Sequence, residues 1–225
     1  IDAANKLGIP KFIFLGSSCI YPKLAPQPLK EDYVLTNSLE PTNQWYALAK
    51  ITGLKLIEAS RNQFGRDYLS LMPTNLYGPN DNFDLETSHV LPAMIRKFHE
   101  AKENGNSTVE LWGDGSPMRE FLHVDDLGSA ILFALENNTK ENLYNVGTGE
   151  DITIKNLSKI VQEIVGHKGQ IIWDKSKPNG TPRKLLDITK IKKLGWKPSI
   201  KLYEGINQTY QWYLKRIFKL RKIKF

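Results

Sequence analysis

Lys11-Phe12-Ile13-Phe14-Leu15-Gly16-Ser17-Ser18-Cys19-Ile20-Tyr21-Pro22 decides how the rest of the chain is read. Its first five residues form a short, apolar, β-enriched run with the length of a buried strand. The small polar residues that follow fall where open α/β sheets bind ligands, at the carboxyl edge of the strands. Further on, Tyr46-Ala47-Leu48-Ala49-Lys50 lies in a helical pattern that sets Tyr46 and Lys50 on one face. An ammonium beside a phenol favours the phenolate, and a hydroxyl from Ser17 or Ser18 could hold a substrate oxygen next to it. Together these residues describe a site for proton transfer.

Outward from that stretch the pattern alternates strands and helices. Ile1 to Gly8 reads as the tail of a helix, stopped by Gly8 with Pro10 beyond. Thr42 is the candidate N-cap of the Tyr46 helix, which runs to about Phe64. Asp67 to Pro73 is the next strand, with Thr74 and Asn75 at its carboxyl end. A looser region through His89 leads to a helix from Val90 to about Asn104. Thr108–Trp112, Leu143–Val146 and Gln170–Trp173 read as strands, and Asp125–Leu135 and Thr153–Val165 as helices. Pro178–Pro182 is a turn-rich loop, and Leu202 to about Arg221 a closing helix. The chain opens without Met, and no Gly-rich strand-to-helix turn precedes the active stretch. Gly113-x-Gly115 and Gly147-x-Gly149 lack the third glycine and the helix of a dinucleotide fingerprint. The expectation is that such a part lies ahead of Ile1.

Composition narrows the classes. At 225 residues, 40% hydrophobic and 24% charged, the chain has the make-up of an ordinary globular protein that can bury a full core. No run of about 18 apolar residues is present, so no membrane span or membrane partner is expected. One cysteine excludes an internal disulfide and fits a reducing, cytoplasmic setting. The net charge of +7 gathers at the C-terminal end, where Lys215, Arg216, Lys219, Arg221, Lys222 and Lys224 stand without an acid among them. Elsewhere lysines alternate with acids on solvated faces, which is not the footprint of a nucleic-acid binder.

The words of the sequence then become specific. Gly16-Ser17-Ser18-Cys19-Ile20-Tyr21-Pro22, Tyr46-x-x-x-Lys50, Met72-Pro73-Thr74-Asn75-Leu76-Tyr77-Gly78-Pro79, Ser88-His89-Val90 and Pro117-Met118-Arg119-Glu120-Phe121-Leu122-His123-Val124-Asp125-Asp126 occur in this order. This combination resembles the GDP-L-fucose synthase family, within the extended short-chain dehydrogenase/reductase superfamily, and the likeness runs from Ile1 to about Trp212. It implies an α/β fold: the C-terminal part of a Rossmann-like, doubly wound parallel sheet with a smaller substrate lobe. The expected division gives 1–76 and 121–149 to the NADP-binding domain, and 77–120 and 150–225 to the nucleotide-sugar lobe. It also implies epimerisation of GDP-4-keto-6-deoxy-D-mannose at C3 and C5, NADPH-dependent reduction at C4, and a homodimer.

The same resemblance assigns roles. Tyr46 donates a proton to the C4 oxygen, Lys50 supports it and holds the nicotinamide ribose, and Ser17 hydrogen-bonds that oxygen. Ser18 is instead expected to cap a turn, its hydroxyl turned to the backbone. Taken alone, Tyr46 and Lys50 would pass for a half-buried tyrosine and a snorkelling lysine. A lone cysteine is ordinarily a small buried hydrophobe; here Cys19 is implied as the base of epimerisation and His89 as its acid, since thiols and imidazoles exchange protons near neutral pH. Leu15, Gly16, Ser17, Ser18, Lys50, Pro73, Thr74, Asn75, Leu76 and His89 are implied as cofactor contacts. Lys97, Trp112, Arg119 and Asn179 are implied for substrate, although relatives usually carry aspartate where Asn179 stands. His123 before Asp125-Asp126 lacks a third ligand at metal-binding spacing, so no metal is expected. The rival readings are a sugar-nucleotide 4-epimerase or dehydratase using NAD, against which Cys19 and His89 argue, and a non-catalytic remnant acting as a binding or scaffold protein.

Overall fold

The computed structural model describes residues 1–217. Lys219, Arg221, Lys222 and Lys224 of the basic tail, and the end of the expected closing helix, lie outside the described residues. The chain divides into two compact units. The first comprises Ile1–Leu76, Glu120–Glu150 and Lys184–Ser199; the second comprises Tyr77–Arg119, Asp151–Arg183 and the chain from Ile200 on.

The first unit is built on three parallel strands, Lys11–Leu15, Asp67–Pro73 and Leu143–Val146, with Asp67–Pro73 in the middle. Parallel strands need both faces covered, and alternate residues meet that demand in turn. Phe12, Phe14 and Tyr68 pack with Ile57 of the helix Gln44–Phe64. Ile13, Leu69 and Leu71 pack with Leu127, Ala130 and Ala134 of the helix Val124–Glu136. This is the doubly wound, Rossmann-like arrangement. Gly53 lets the first helix lie against the sheet, since a Cβ there would run into the Phe14 ring.

Some local details differ from expectation. The Gln44–Phe64 helix begins after a short 3-10 turn, Pro41–Asn43, so Thr42 sits inside that turn and Asn43 occupies the N-cap. Proline at the first position starts that turn readily, because its φ is already near the helical value and its missing N–H would have no partner there. The expected division gave the whole of 150–225 to the second body, whereas Lys184–Ser199 belongs to the first. Leu29 N–H donates to the Leu185 carbonyl at 2.7 Å and Asp187 N–H to the Leu29 carbonyl at 2.8 Å. Leu186, Ile188, Ile191 and Trp196 then join the first unit's core.

In the second unit, the strands Thr108–Trp112 and Gln170–Asp174 pair in parallel. They accompany the helices Val90–Glu103, Ile154–Val165 and Leu202–Arg216. Leu91, Ile95, Phe98, Leu157, Val161, Ile206, Tyr210 and Tyr213 are buried there. Thr153 caps its helix by accepting from the Asn156 N–H, and Gly166 closes it in the left-handed region. His99 and His167 are both buried, His99 with its Nδ1 3.1 Å from the Tyr210 hydroxyl and His167 with its Nε2 2.9 Å from the Asn106 carbonyl. Among the described residues, no helix is long and apolar enough to cross a membrane.

Candidate active site

At the carboxyl edge of the first unit's sheet, the Gly16 N–H extends the ladder to the Leu71 carbonyl at 2.9 Å. Gly16 is buried against Met72, whose side chain fills the space a Cβ would need. The backbone then turns into a 3-10 segment, Ser18–Ile20. Ser17 caps that segment, its Oγ accepting from the Cys19 N–H at 3.2 Å. The capping role expected at Ser18 thus belongs to Ser17, because the residue ahead of the first turn is the one whose side chain reaches the N–H two positions on. Ser18 is buried, while Ser17 and Cys19 are half-buried.

The Gln44–Phe64 helix supplies the second pair. Tyr46 is 50% exposed, so its phenol is not consumed by the core. Lys50 Nζ donates to the Leu15 carbonyl at 2.9 Å and lies 5.6 Å from the Tyr46 ring centroid. The shared face read from the spacing therefore holds in three dimensions. On the neighbouring strand end, Thr74 and Asn75 turn their side chains inward, both donating to the Glu120 carbonyl, at 3.3 and 2.8 Å. Leu76 packs against the core.

Two residues near this edge have no role assigned from the sequence. Lys184 Nζ stands 3.3 Å from Cys19 Sγ. The carboxylate of Glu120 accepts from the N–H groups of Gly149 at 2.7 Å and Leu186 at 3.0 Å, and burial raises its pKa above the ordinary carboxylate value against those bonds. Nothing short of the assembled fold brings either residue to its partners.

In the second unit, His89 is exposed at the N-cap of the Val90–Glu103 helix, without a side-chain cap bond. Burial raises the pKa of the nearby Asp81 carboxyl, against the Asn82 N–H bond it accepts at 2.7 Å and the neighbouring His89 ring. A cavity of about 180 Å³ is lined by Val90, Trp112, Gly115, Arg119, Pro178 and Asn179, among others. Three of the four expected substrate residues thus face one space. The fourth, Lys97, donates to the Glu110 carbonyl at 3.1 Å, with its Nζ 5.8 Å from the Trp112 ring centroid. Lys177, which sequence reading passed over, stands 5.6 Å from that centroid. Arg119 donates to the Met118 carbonyl at 2.8 Å, and burial lowers its pKa. Among the described residues no carboxylate pairs with it. A part-buried guanidinium facing a cavity in this way suits an anionic oxygen. By contrast, Arg183 is already paired with Asp151 at 2.6 Å.

Asn179 holds the wall of that cavity. Its Oδ1 accepts from the Asp114 N–H at 2.9 Å, across Gly113, where a Cβ would strike that oxygen. Ser116 is the chief influence keeping the Asp114 carboxyl below its ordinary value, and the Asn179 amide acts in the same sense. An aspartate at 179 could accept the same bond but would place a second carboxylate beside Asp114. The amide accommodates this turn without that repulsion.

The family is shown by comparison with known proteins. The chain belongs to the NAD dependent epimerase/dehydratase family, whose model matches residues 1–147. Within it the chain groups with GDP-L-fucose synthases. It is 56% identical over 217 residues to GDP-L-fucose synthase 1 of Arabidopsis thaliana, a match covering 96% of this chain and 67% of that relative. It is 51% identical over 230 residues to GDP-L-fucose synthase of Escherichia coli (strain K12), covering 98% of this chain and 72% of the relative. Among solved structures, a GDP-L-fucose synthetase from Naegleria fowleri bound to NADP superposes with a TM-score of 0.89 at 27% identity, over 98% of this chain and 71% of that one.

Proposed function

We propose that this chain performs the GDP-L-fucose synthase reaction: epimerisation of GDP-4-keto-6-deoxy-D-mannose at C3 and C5, then reduction at C4 to GDP-L-fucose. The observation that carries this reading is the Ser17–Cys19 turn. One strand end presents a hydroxyl and a thiol two residues apart, and the Tyr46–Lys50 helix packs against that turn. A simple reductase has no use for the sulfur; an epimerase acting alpha to a ketone does.

Both epimerised carbons lie beside the C4 ketone. In the proposed first step the Cys19 thiolate takes the C3 proton, and the C–H electron pair moves into an enolate with its charge on the C4 oxygen. Hydrogen bonds from Ser17 and Tyr46 stabilise that oxygen. His89, as imidazolium, returns a proton to C3 on the opposite face. The thiol then loses its proton to water and the imidazole regains one, and C5 follows the same course. Tyr46 finally donates its proton to the C4 oxygen as the ketone becomes an alcohol.

NADPH is the cofactor, and when bound it supplies the hydride for C4. The residues present fit the nicotinamide side. Lys50 and the half-exposed Tyr46 stand at the sheet edge, and the segments Leu15–Ser18 and Pro73–Leu76 offer backbone there. Lys50 would hold the nicotinamide ribose, and His89 is a further expected contact. For the nucleotide sugar, Arg119 would take a diphosphate oxygen, Trp112 an aromatic or sugar face, and Lys97 and Asn179 polar groups.

A homodimer formed through the Gln44–Phe64 helix fits the same reading, since Trp45, Leu48 and Leu56 are exposed large apolar residues on it. Sedimentation showing only monomer at micromolar concentration removes that part. A cytoplasmic setting agrees with the single cysteine. The function is tested by NADPH oxidation on the keto sugar with GDP-L-fucose identified as product. Oxidation without inversion at C3 and C5 would reduce the protein to a simple 4-reductase.

A further inference from the structure

We infer that Lys184 is a positioning residue for Cys19, holding its sulfur as the thiolate that removes the sugar protons; the inference rests on Cys19 being the base in the proposed function. The Lys184 ammonium lies 3.3 Å from Sγ, though 165 positions separate the two in sequence. Among the described residues no carboxylate is paired with Lys184, and the sulfur is its hydrogen-bond partner. An ammonium has only donors to offer, and a neutral thiol is a weak acceptor, so the contact favours the sulfur as an anion.

Both ends of the contact are anchored in the same unit. On the sulfur side, the Cys19 N–H is held by Ser17, and the turn continues into buried Ile20 and Tyr21. The Tyr21 hydroxyl donates to Asn145 Oδ1, and the Asn145 amide donates onward to the carbonyls of Leu29 at 2.9 Å and Asp187 at 3.1 Å. On the lysine side, the Leu185 N–H is held by Gln27 Oε1 at 2.9 Å and the Leu186 N–H by Glu120 Oε2 at 3.0 Å. One buried asparagine therefore ties the cysteine's turn to the segment that carries the lysine. That mutual bracing separates this lysine from a solvated one that touches a sulfur by chance.

No proton passes to or from Lys184 in this scheme. When Cys19 takes a proton from C3 or C5, the charge leaves the sulfur for the C4 oxygen. When the thiol gives that proton to water, the ammonium–thiolate contact is restored for the next turnover.

The test uses the whole protein as its host makes it, with Lys184→Gln, Lys184→Arg and Cys19→Ala variants. Two readouts are taken: deuterium entering C3 and C5 of the GDP-keto sugar in D2O without NADPH, and alkylation of Cys19 by iodoacetamide without substrate, followed by peptide mass spectrometry. A lost charge-assisted hydrogen bond predicts that Lys184→Gln slows both by about tenfold, with exchange measured at saturating sugar, and that Lys184→Arg restores most of the loss. If Lys184→Gln only raises KM for the sugar, with saturated exchange and alkylation unchanged, Lys184 binds substrate and the inference falls. If exchange persists in Cys19→Ala, the cysteine is not the base and the proposed mechanism fails first; an unchanged alkylation rate in Lys184→Gln then rejects the positioning contact separately.

Discussion

Lys50 Nζ donates to the Leu15 carbonyl at 2.9 Å, tying the helix that carries the phenol to the last residue of the strand that leads to Ser17 and Cys19. The ammonium also lies 5.4 Å from the Phe14 ring centroid and 5.6 Å from that of Tyr46. Its position is thus fixed by the sheet edge and by two aromatic faces, with Tyr46 at one side and solvent at the other.

Tyr46→Phe is expected to separate the two halves of the reaction. Loss of a positioned general acid lowers NADPH-dependent reduction by about 10²–10⁴-fold. Deuterium entry at C3 and C5 should fall less, because Cys19 and His89 still move the protons and Ser17 still donates to the enolate oxygen that Tyr46 shares. Steady-state oxidation at saturating substrates and mass spectrometry of the recovered sugar measure the two rates. Equal loss of both would mean that the phenol carries most of the enolate charge.

His89→Asn should have the opposite effect. Its side chain makes no cap bond to the Val90–Glu103 helix, and asparagine is a preferred N-cap, so the thermal midpoint should hold or rise slightly. Epimerisation should fall by about 10²-fold or more through loss of the acid. A matching collapse of stability would show that the residue is structural.

Arg119→Met should weaken substrate binding through the lost guanidinium. Charge-assisted bonds of about 1.5–3 kcal/mol correspond to a rise of roughly ten- to a hundredfold in KM for the GDP-sugar, with kcat changed less. Isothermal titration with GDP alone checks whether the diphosphate is the group recognised. Unchanged GDP affinity would shift the role to the sugar.

Gly53→Ala should destabilise the fold despite alanine's higher helix propensity, because the new methyl group meets the Phe14 ring. Overpacking of this kind costs about 1–3 kcal/mol, against about 1 kcal/mol gained in propensity. Urea unfolding gives the difference. Greater stability in the variant would show that the ring can rotate away without loss.

His123 gives a pH signature of known sign. It is buried at the N-cap of the Val124–Glu136 helix, where its Nδ1 accepts from the Asp125 N–H at 3.2 Å. Burial lowers its pKa, outweighing the pull of Asp125 and Asp126. The unfolded chain therefore binds the proton more readily than the folded one. Stability is complete above the unfolded histidine value of about 6.5 and declines as pH falls below it. His123→Asn keeps a capping oxygen and should flatten that part of the profile. Thermal midpoints of both proteins between about pH 5 and 8 measure it; parallel curves would assign the acid sensitivity elsewhere.

The main elements were legible because each has its own local period. Lys11–Leu15 and Asp67–Pro73 are apolar runs of strand length, and Ile154–Val165 carries a capped amphipathic pattern ending at Gly166. The Tyr46–Lys50 face follows from helical geometry alone. The short segments were not legible: Arg183–Lys184 and Thr189–Leu194 are only two and six residues long, and too short to show a period.

By itself, then, the sequence determined the alternation of strands and helices and the residue types placed at the sheet's carboxyl edge, because strand and helix periods and motif spacing are properties of neighbouring residues. The tertiary structure alone decided that Ser17 rather than Ser18 caps the Cys19 turn, that Asn179 braces Asp114, that Lys184–Ser199 joins the first unit, and that Lys184 meets Cys19. Those outcomes depend on which backbone and side-chain groups satisfy one another's hydrogen bonds once water is excluded. For Lys184 and Cys19, that pairing closes across 165 positions of chain, a distance over which no local pattern carries information.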